Sequence, residues 1–423
     1  MNRQIFPIIL LFLVAAIQGV RALEPYTTLS SDNKTLTFYY DNQIEVRGGA
    51  TFNIKNWKNQ RESITTVVFD DSFADCTFFT STADWFNGFE NLTSIIGLEK
   101  LNTTNVIHMT NMFNYCRSLT SLDVSHFNTA NVKDMANMFA DCSALTSIDV
   151  SNFNTANVED MSYMFNYCQS LTSLDVSNFN TANVKKMNGM FAHCSALTSL
   201  DVSNFNTANV TFMSSMFEYC NALTSLDVSN FNTAKVQVIS SMFFNCQSLT
   251  SLDVSNFNTA NVITMNGMFD DCKGLTSLDV SNFNTANVTD MAYMFYGCNA
   301  LVSLDVSKFN TAKVEDMSHM FQNCSALTTI YCNDTWSCGK SFQMFSACES
   351  IKGAIAYNAT KTDVTYANPD TGYFTRTNET YVPTLNATDG RQNNEACYSL
   401  SGQRLATPLK GINIIDNKKV VVK

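Results

Sequence analysis

Side-chain types capable of chemistry recur in columns. Cys116, Cys142, Cys168, Cys194, Cys220, Cys246, Cys272, Cys298 and Cys324 each follow the last by 26 residues. A zinc site needs several ligands converging on one point, and this column supplies one thiol per unit. Each of these cysteines sits among Met and Phe, which suits a small buried hydrophobe. Cys332 and Cys338 flank Trp336 outside the column and are the best disulfide candidates; Cys76 and Cys397 have no evident partner. The methionines Met135, Met161, Met187, Met213, Met265, Met291 and Met317 could form a soft-metal stripe. However, Ile239 takes the same place in one unit, a change that packing tolerates and a thioether ligand does not.

Carboxylates form the third column: Asp123, Asp149, Asp175, Asp201, Asp227, Asp253, Asp279 and Asp305. In parallel strands ~4.8 Å apart they would line one face in register. Each adjacent pair would then repel by ~0.9 kcal/mol in bulk-water dielectric. Such a strip is either a solvated face or a binding site for a basic or hydroxyl-rich partner, with calcium bridging as a variant. The four histidines, His108, His126, His193 and His319, have no metal-ligand spacing,. No nucleophile elbow, phosphate-binding loop or dinucleotide fingerprint is present, so neither catalysis nor a cofactor is expected.

The elements that must position these columns follow from the 26-residue unit, F-N-T-A-N-V-x-x-M-x-x-M-F-x-x-C-x-A-L-T-S-L-D-V-S-N. A fixed period of this size predicts a solenoid, in which each unit buries its apolar face against its neighbours. Leu122 and Val124 alternate with Ser121, Asp123 and Ser125, the pattern of a half-buried strand. Val132, Met135, Met138, Phe139 and Cys142 fall at offsets of three, six, seven and ten, which predicts a helix facing the core, with Asn131 as its N-cap. The eight phenylalanines from Phe127 to Phe309 form an internal spine. The column Asn128, Asn154, Asn180 and onward suits a side-chain amide ladder. The expected fold is therefore α/β, a leucine-rich-repeat-like solenoid of strand-turn-helix units with a β-rich N-terminal cap and degenerate terminal repeats.

The chain has 423 residues, of which 45% are hydrophobic and only 15% charged. Its net charge of −11 leaves no basic stripe to neutralise phosphates, so nucleic acid is excluded as a partner,. Residues 1–22 carry Arg3, an apolar run and Val20-Arg21-Ala22, the layout of a secretory signal peptide,. No apolar run is long enough for a transmembrane segment. Residues 23–85 read as the β-rich cap, with strands at Leu36 to Tyr40 and Ile64 to Phe69. The solenoid follows over 86–356, a C-terminal cap over 357–374, a polar linker over 375–396 and a short strand-rich module over 397–423.

The unit L-T-S-L-D-V-S-N-F-N-T-A-N-V-x-x-M-x-x-M-F resembles the BspA-like leucine-rich repeat surface proteins of Bacteroidetes and other host-associated microbes. The resemblance covers roughly residues 35 to 374, including T-L-T-F-Y-Y-D-N at 35–42 and Y-A-N-P-D-T-G-Y-F at 366–374. The tail from Tyr398 resembles the C-terminal modules of secreted Bacteroidales proteins. This resemblance implies a secreted or outer-surface protein that binds host or microbial surface proteins or glycans, in some members an adhesin for extracellular matrix. A surface coat or spacer without a specific ligand is the alternative. No family motif marks individual binding residues.

Overall fold

The computed structural model describes residues 23–57 and 59–377, together with five strands between 384 and 422. The signal-peptide segment, residues 1–22, lies outside the described residues. A repeat solenoid of 26-residue coils forms as the period predicts, but among the described residues it contains no α-helix. In place of the expected helix each coil makes a run of tight turns.

One unit shows how. The amides of Met135, Asn137, Phe139 and Asp141 donate to the carbonyls of Asp160, Ser162, Met164 and Asn166 of the next coil, at 2.7–3.0 Å. The alternate amides, those of Met138, Ala140 and Cys142, close turns onto Met135, Asn137 and Phe139 within the coil. A helix would satisfy every interior amide within the segment, whereas this geometry spends half of them on the neighbour. Asn137 and Asp141 lie at φ +54° and +57°, at the third position of their turns, where a type II turn needs positive φ. The same two positions are left-handed in coil after coil, occupied by Asn111 and Tyr115, Tyr163 and Tyr167, Gly189 and His193, and Gly267 and Asp271. The stripe at offsets three, six, seven and ten is buried as expected, because consecutive short turns present the same positions inward as a helix would.

The rest of the coil is held by a few backbone bonds to the preceding coil, such as Lys133 N to Ile107 O at 2.8 Å, and by side chains. Thr129 is buried; its hydroxyl donates to the Asn154 carbonyl at 3.0 Å and accepts from the Asn154 amide at 2.7 Å. Equivalent threonines repeat this link along the array. Asn131 is not a helix N-cap: its amide nitrogen donates to the preceding coil's Thr104 carbonyl at 2.9 Å. Asn157, Asn183, Asn209, Asn261 and Asn287 do the same. Inter-coil amide links therefore run through this column. In the Asn128 column, where a ladder was expected, the side chain turns back to its own backbone, Asn128 Oδ1 accepting from Ala130 N at 3.1 Å.

Inside, Phe113, Phe139, Phe165, Phe191, Phe217, Phe243, Phe269, Phe295 and Phe321 stack face to face, centroids 5.6–6.0 Å apart and planes within 16°. The column from Phe127 to Phe309 is buried beside it. The ladder cysteines are free and buried. Each thiol donates to the phenylalanine carbonyl of the preceding coil, as Cys142 does to Phe113 at 3.2 Å. Burial pushes these thiols well above their ordinary range. Cys332 and Cys338 are also free, with Sγ atoms directed to the Asp334 and Lys340 carbonyls, so the expected disulfide is not formed.

The ends differ from the array. At the N-terminus β1 (Tyr26–Leu29), β2 (Thr35–Tyr39), β3 (Ala50–Thr51), β4 (Thr66–Phe69) and β5 (Ser94–Ile96) form one sheet in the order β3-β1-β2-β4-β5. β2, β4 and β5 run parallel and lead into the first coil. Phe38 stacks on Phe69 at 4.7 Å and on Trp85 at 5.8 Å, closing the core from below. At the other end β6 (Ser303–Asp305), β7 (Thr329–Tyr331) and β8 (Phe374–Thr375) pair in parallel. There the forward-pointing amides of Phe345 and Ala347 find the Thr362 carbonyl and the Tyr357 hydroxyl instead of another coil. Beyond, β9 (Thr384–Leu385), β10 (Cys397–Tyr398), β11 (Arg404–Leu405), β12 (Gly411–Ile415) and β13 (Lys418–Val422) make a second sheet. β9 falls in the span expected to be linker.

Two outcomes check this architecture. The ladder thiols should resist a thiol reagent in the folded protein and all react in denaturant without reductant; persistent protection in denaturant would indicate disulfides. Asn137→Val, which forces a β-branched residue into the left-handed region, should destabilise by about 1–2 kcal/mol, while Asn137→Gly should be close to neutral. Denaturant melts of the two variants give the comparison; a helix at this site would instead rank valine above glycine.

Candidate functional site

The eight aspartates stand outside the core in one line, seven of them exposed and Asp305 half-buried. They do not stand on a strand ladder as expected: between β5 and β6 no strand forms along this line. The Thr-Ser-Leu-Asp segments are extended but largely unpaired, with backbone links confined to their threonine ends, such as Thr146 N to Thr120 O at 3.3 Å. Only Asp305, on β6, lies on a paired strand.

Each carboxylate has a local job. Oδ1 of Asp123 accepts from the Ser125 amide at 3.0 Å and from its hydroxyl at 2.7 Å. Asp201, Asp227, Asp253 and Asp279 repeat both bonds. Asp149, Asp175 and Asp305 accept from the serine amide. These bonds fix the Val-Ser-Asn-Phe turn that follows, closed in one unit by Phe153 N to Val150 O at 3.0 Å. Hydrogen bonding from the serine holds the carboxyls of Asp123, Asp149, Asp175, Asp201, Asp227 and Asp253 below their usual range. Neighbouring carboxylates oppose the shift at Asp149, Asp201 and Asp227.

Turn capping requires an acceptor at this position; it does not require a charge. The same coil proves the point, because Asn128, Asn154, Asn180 and Asn206 cap the next turn in the same i to i+2 geometry with neutral amides. Capping therefore accounts for the hydrogen bonds of the aspartates and leaves their uniform negative charge unexplained.

A second face carries varied side chains. Most side chains of the two left-handed columns reach the surface here, while Met138, Phe139 and Ala140 between them are buried. Tyr115, Tyr163, Tyr167 and Tyr293 are 38–40% exposed. Tyr167, His193 and Tyr219 stack across three coils at 3.9 and 4.5 Å, and Phe244 meets Tyr219 edge-on. The ring faces are thus occupied by one another, and the edges face solvent. Burial lowers the His193 pKa, opposed by Glu218 at 4.0 Å. Arg117 bonds Asp141 through two nitrogens at 3.1 and 3.2 Å and lies over Tyr115. Asp270 is pushed up to about 7 by burial and by the adjacent Asp271. Lys185 and Lys186 pair with Glu159 and Asp160 of the preceding coil. The signal that could have located this face was its composition, since Asn, Asp, Gly and Ser tolerate positive φ. The histidines do not converge, and no group of three or more His, Cys, Asp or Glu able to hold a metal occurs among the described residues.

A family model described as "Mycoplasma protein of unknown function, DUF285" matches residues 80–196, 144–252, 172–274 and 244–358. These overlapping matches run the length of the coil array and cover well over half of the chain. The chain belongs to this family. The DUF285 matches thus coincide with the 26-residue coils, each match spanning several of them. No curated protein matches the chain.

The capping role predicts a pH signature. A carboxyl whose folded pKa lies below its unfolded value adds stability that is present above the unfolded value, near 3.9, and is lost as pH falls through the folded value. Replacing Asp201, Asp227 and Asp253 together by Asn should therefore flatten the acid limb of the stability curve. At neutral pH the variant should be no more stable than the parent, because the lowered folded values mean that ionisation favours the fold in spite of like-charge repulsion,. Thermal melts of both proteins across the acid range test this; an unchanged acid limb would remove the caps from the account.

Proposed function

We propose that this DUF285 protein is a secreted or cell-surface binding scaffold, of the BspA-like kind, that acts by contact and not by catalysis. Its ligand is a basic surface of a partner protein, held along the Asp-Val-Ser line. The observation that carries this reading is the charge on that line, which eight turns retain although neutral asparagine caps equivalent turns in the same coils. A solenoid presents such a line as an extended surface, suited to a long partner. The array keeps the charges in one row, and the partner's cations would meet them at successive coils. The signal-peptide layout of residues 1–22 and the net charge of −11 accord with action outside the cell on a cationic partner,.

A coat or spacer without specific ligand is the second reading, favoured by the near-identity of the coils, since specific recognition of an irregular surface calls for varied contact residues. The two readings part in one experiment. A polylysine peptide titrated into the protein should bind with strong salt dependence. The Asp201→Asn, Asp227→Asn, Asp253→Asn variant should bind more weakly, associate more slowly and respond less to salt. Equal binding by parent and variant would eliminate the acidic line as the contact face and leave the spacer reading.

A further inference from the structure

The face made by the two left-handed columns carries aromatic rings where the backbone favours small residues. A left-handed conformation brings Cβ close to the following carbonyl and disfavours bulky side chains most. Asn137, Gly189, Ser241 and Gly267 fill these positions at φ +54° to +60°. Tyr115, Tyr163, Tyr167, Tyr219 and Tyr293 hold equivalent positions at φ +56° to +60°. Strain of this kind marks places where something besides local folding selects the residue. Tyr163 is the clearest instance. It is 38% exposed and has neither a ring contact nor a side-chain hydrogen bond among the described residues that would offset the strain. Its ring fills the space beside Gly189 of the next coil, where a Cβ would collide with it.

Tyr163 stands in the first left-handed column, and the stacked row Tyr167, His193 and Tyr219 in the second. Between them runs a middle column of Asn166, Ala192, Glu218 and Phe244. Ala192 is buried and Gly189 has no side chain, so the coil at 189–193 lies low among the rings. The face is also acidic. Glu218 has His193 as its one ion-pair partner among the described residues, at 4.0 Å. Burial holds that imidazole below its ordinary pKa, so at neutral pH Glu218 lacks a cation. Asp270 and Asp271 lie close enough to act on Tyr219, whose pKa is raised by burial, by Glu218 and by these two carboxylates. Lys273, 3.5 Å from Asp271, offsets only one of the three charges.

We propose that this face binds a folded protein partner through arginine side chains, as a second contact surface that does not depend on the acidic line. An arginine stem lies against ring edges while its planar guanidinium donates to a carboxylate such as Glu218 and to tyrosine hydroxyls. Tyrosine set among asparagine, serine and glycine is the composition that recognises irregular protein surfaces. The coil-to-coil variation here, which the aspartate column lacks, supplies the distinct contacts such a surface calls for. A sugar chain fits less well, because Tyr167, His193 and Tyr219 cover one another's ring faces. A second copy seated symmetrically would set Glu218, Asp270 and Asp271 against like charges.

The test is a chemical-shift titration of the full chain with the peptide acetyl-Gly-Arg-Gly-Leu-Gly-Arg-Gly-amide. Its citrulline counterpart and a hexamer of N-acetylglucosamine run beside it. The arginine peptide should saturate and shift the amides of Tyr163, Tyr167 and Glu218. Citrulline, which keeps the shape and loses the charge, should bind about ten-fold more weakly. Tyr163→Asn combined with Tyr167→Asn should weaken the arginine peptide about ten-fold. Glu218→Gln should weaken it about five-fold and flatten its salt dependence. Tyr163→Asn alone should melt no lower than the parent, because asparagine holds the same column at Asn137. The Asp201→Asn, Asp227→Asn, Asp253→Asn variant should shift these amides like the parent, which separates this face from the acidic line. No saturable shift, equal affinity for the citrulline peptide, or full affinity in the double variant would overturn the proposal. A lower melting point for Tyr163→Asn would also overturn it, by making the ring part of the fold's own packing. Saturation by the sugar hexamer without saturation by the arginine peptide would give the face to a glycan instead.

Discussion

Everything in this solenoid depends on where alternate backbone amides go. In the Met-Phe segment of each coil one amide closes a turn and the next crosses to the following coil, so neither the coil nor the stack can form without the other. That requirement places two residues per coil in the left-handed region, and it brings successive phenylalanines to 5.6–6.0 Å, face to face. It also defines the chemistry of the other columns. The cysteine thiols and threonine hydroxyls reach carbonyls of adjacent coils, and the asparagine side chains tie one coil to the carbonyl of the one before. Because the crossing amides of the Met-Phe segment point towards the C-terminus, the last coil must hand those donors to something else, and the Thr362 carbonyl and the Tyr357 hydroxyl receive them.

The contrast between the two sides of the coil shapes the surface. The Met-Phe side is pinned to its neighbour at every second residue, while the Thr-Ser-Leu-Asp side has few backbone links until β6. Like charges on the open side therefore meet less constraint than a continuous strand ladder would impose. The local turn after each aspartate is fixed by the carboxylate itself, which makes the acidic line regular without sheet pairing. Where the array meets the cap, β5 likewise keeps an unpaired edge towards the first coil.

Much of this was legible in the sequence. The period, the identity of the buried columns, the inward cysteines, the β-rich cap and the degenerate ends are all consequences of which residue types repeat at 26. The helix was not, and the reason is geometric. Val132, Met135, Met138, Phe139 and Cys142 satisfy a helical stripe, but successive four-residue turns bury the same offsets. What separates the two is the residue type at Asn137 and Asp141 and their counterparts. Gly189, Gly267 and Gly297 fall in those columns, an odd choice for the exposed side of a helix and a natural one at φ +55°, +60° and +63°. The aspartate column was located correctly on the surface, yet its capping of the next turn was invisible, because it depends on a backbone conformation that residue spacing does not encode. The pairing of Cys332 with Cys338 failed for a related reason, since proximity in sequence gave no information on where each thiol points.

The central claim is that the coils are joined by alternate amides of the Met-Phe segment and not by strands at the aspartate line. Residue-resolved hydrogen exchange of the native chain tests it most directly at one mid-array coil. The amides of Ser215, Phe217 and Tyr219, which cross to Ser240, Met242 and Phe244 at 2.7–3.0 Å, should exchange slowly, through opening of the array. The exposed amides of Ser225 and Asp227, with no backbone partner among the described residues, should exchange far faster. Protection at Ser225 and Asp227 equal to that at Phe217 and Tyr219 would mean a strand ladder along the acidic face, and would contradict the account.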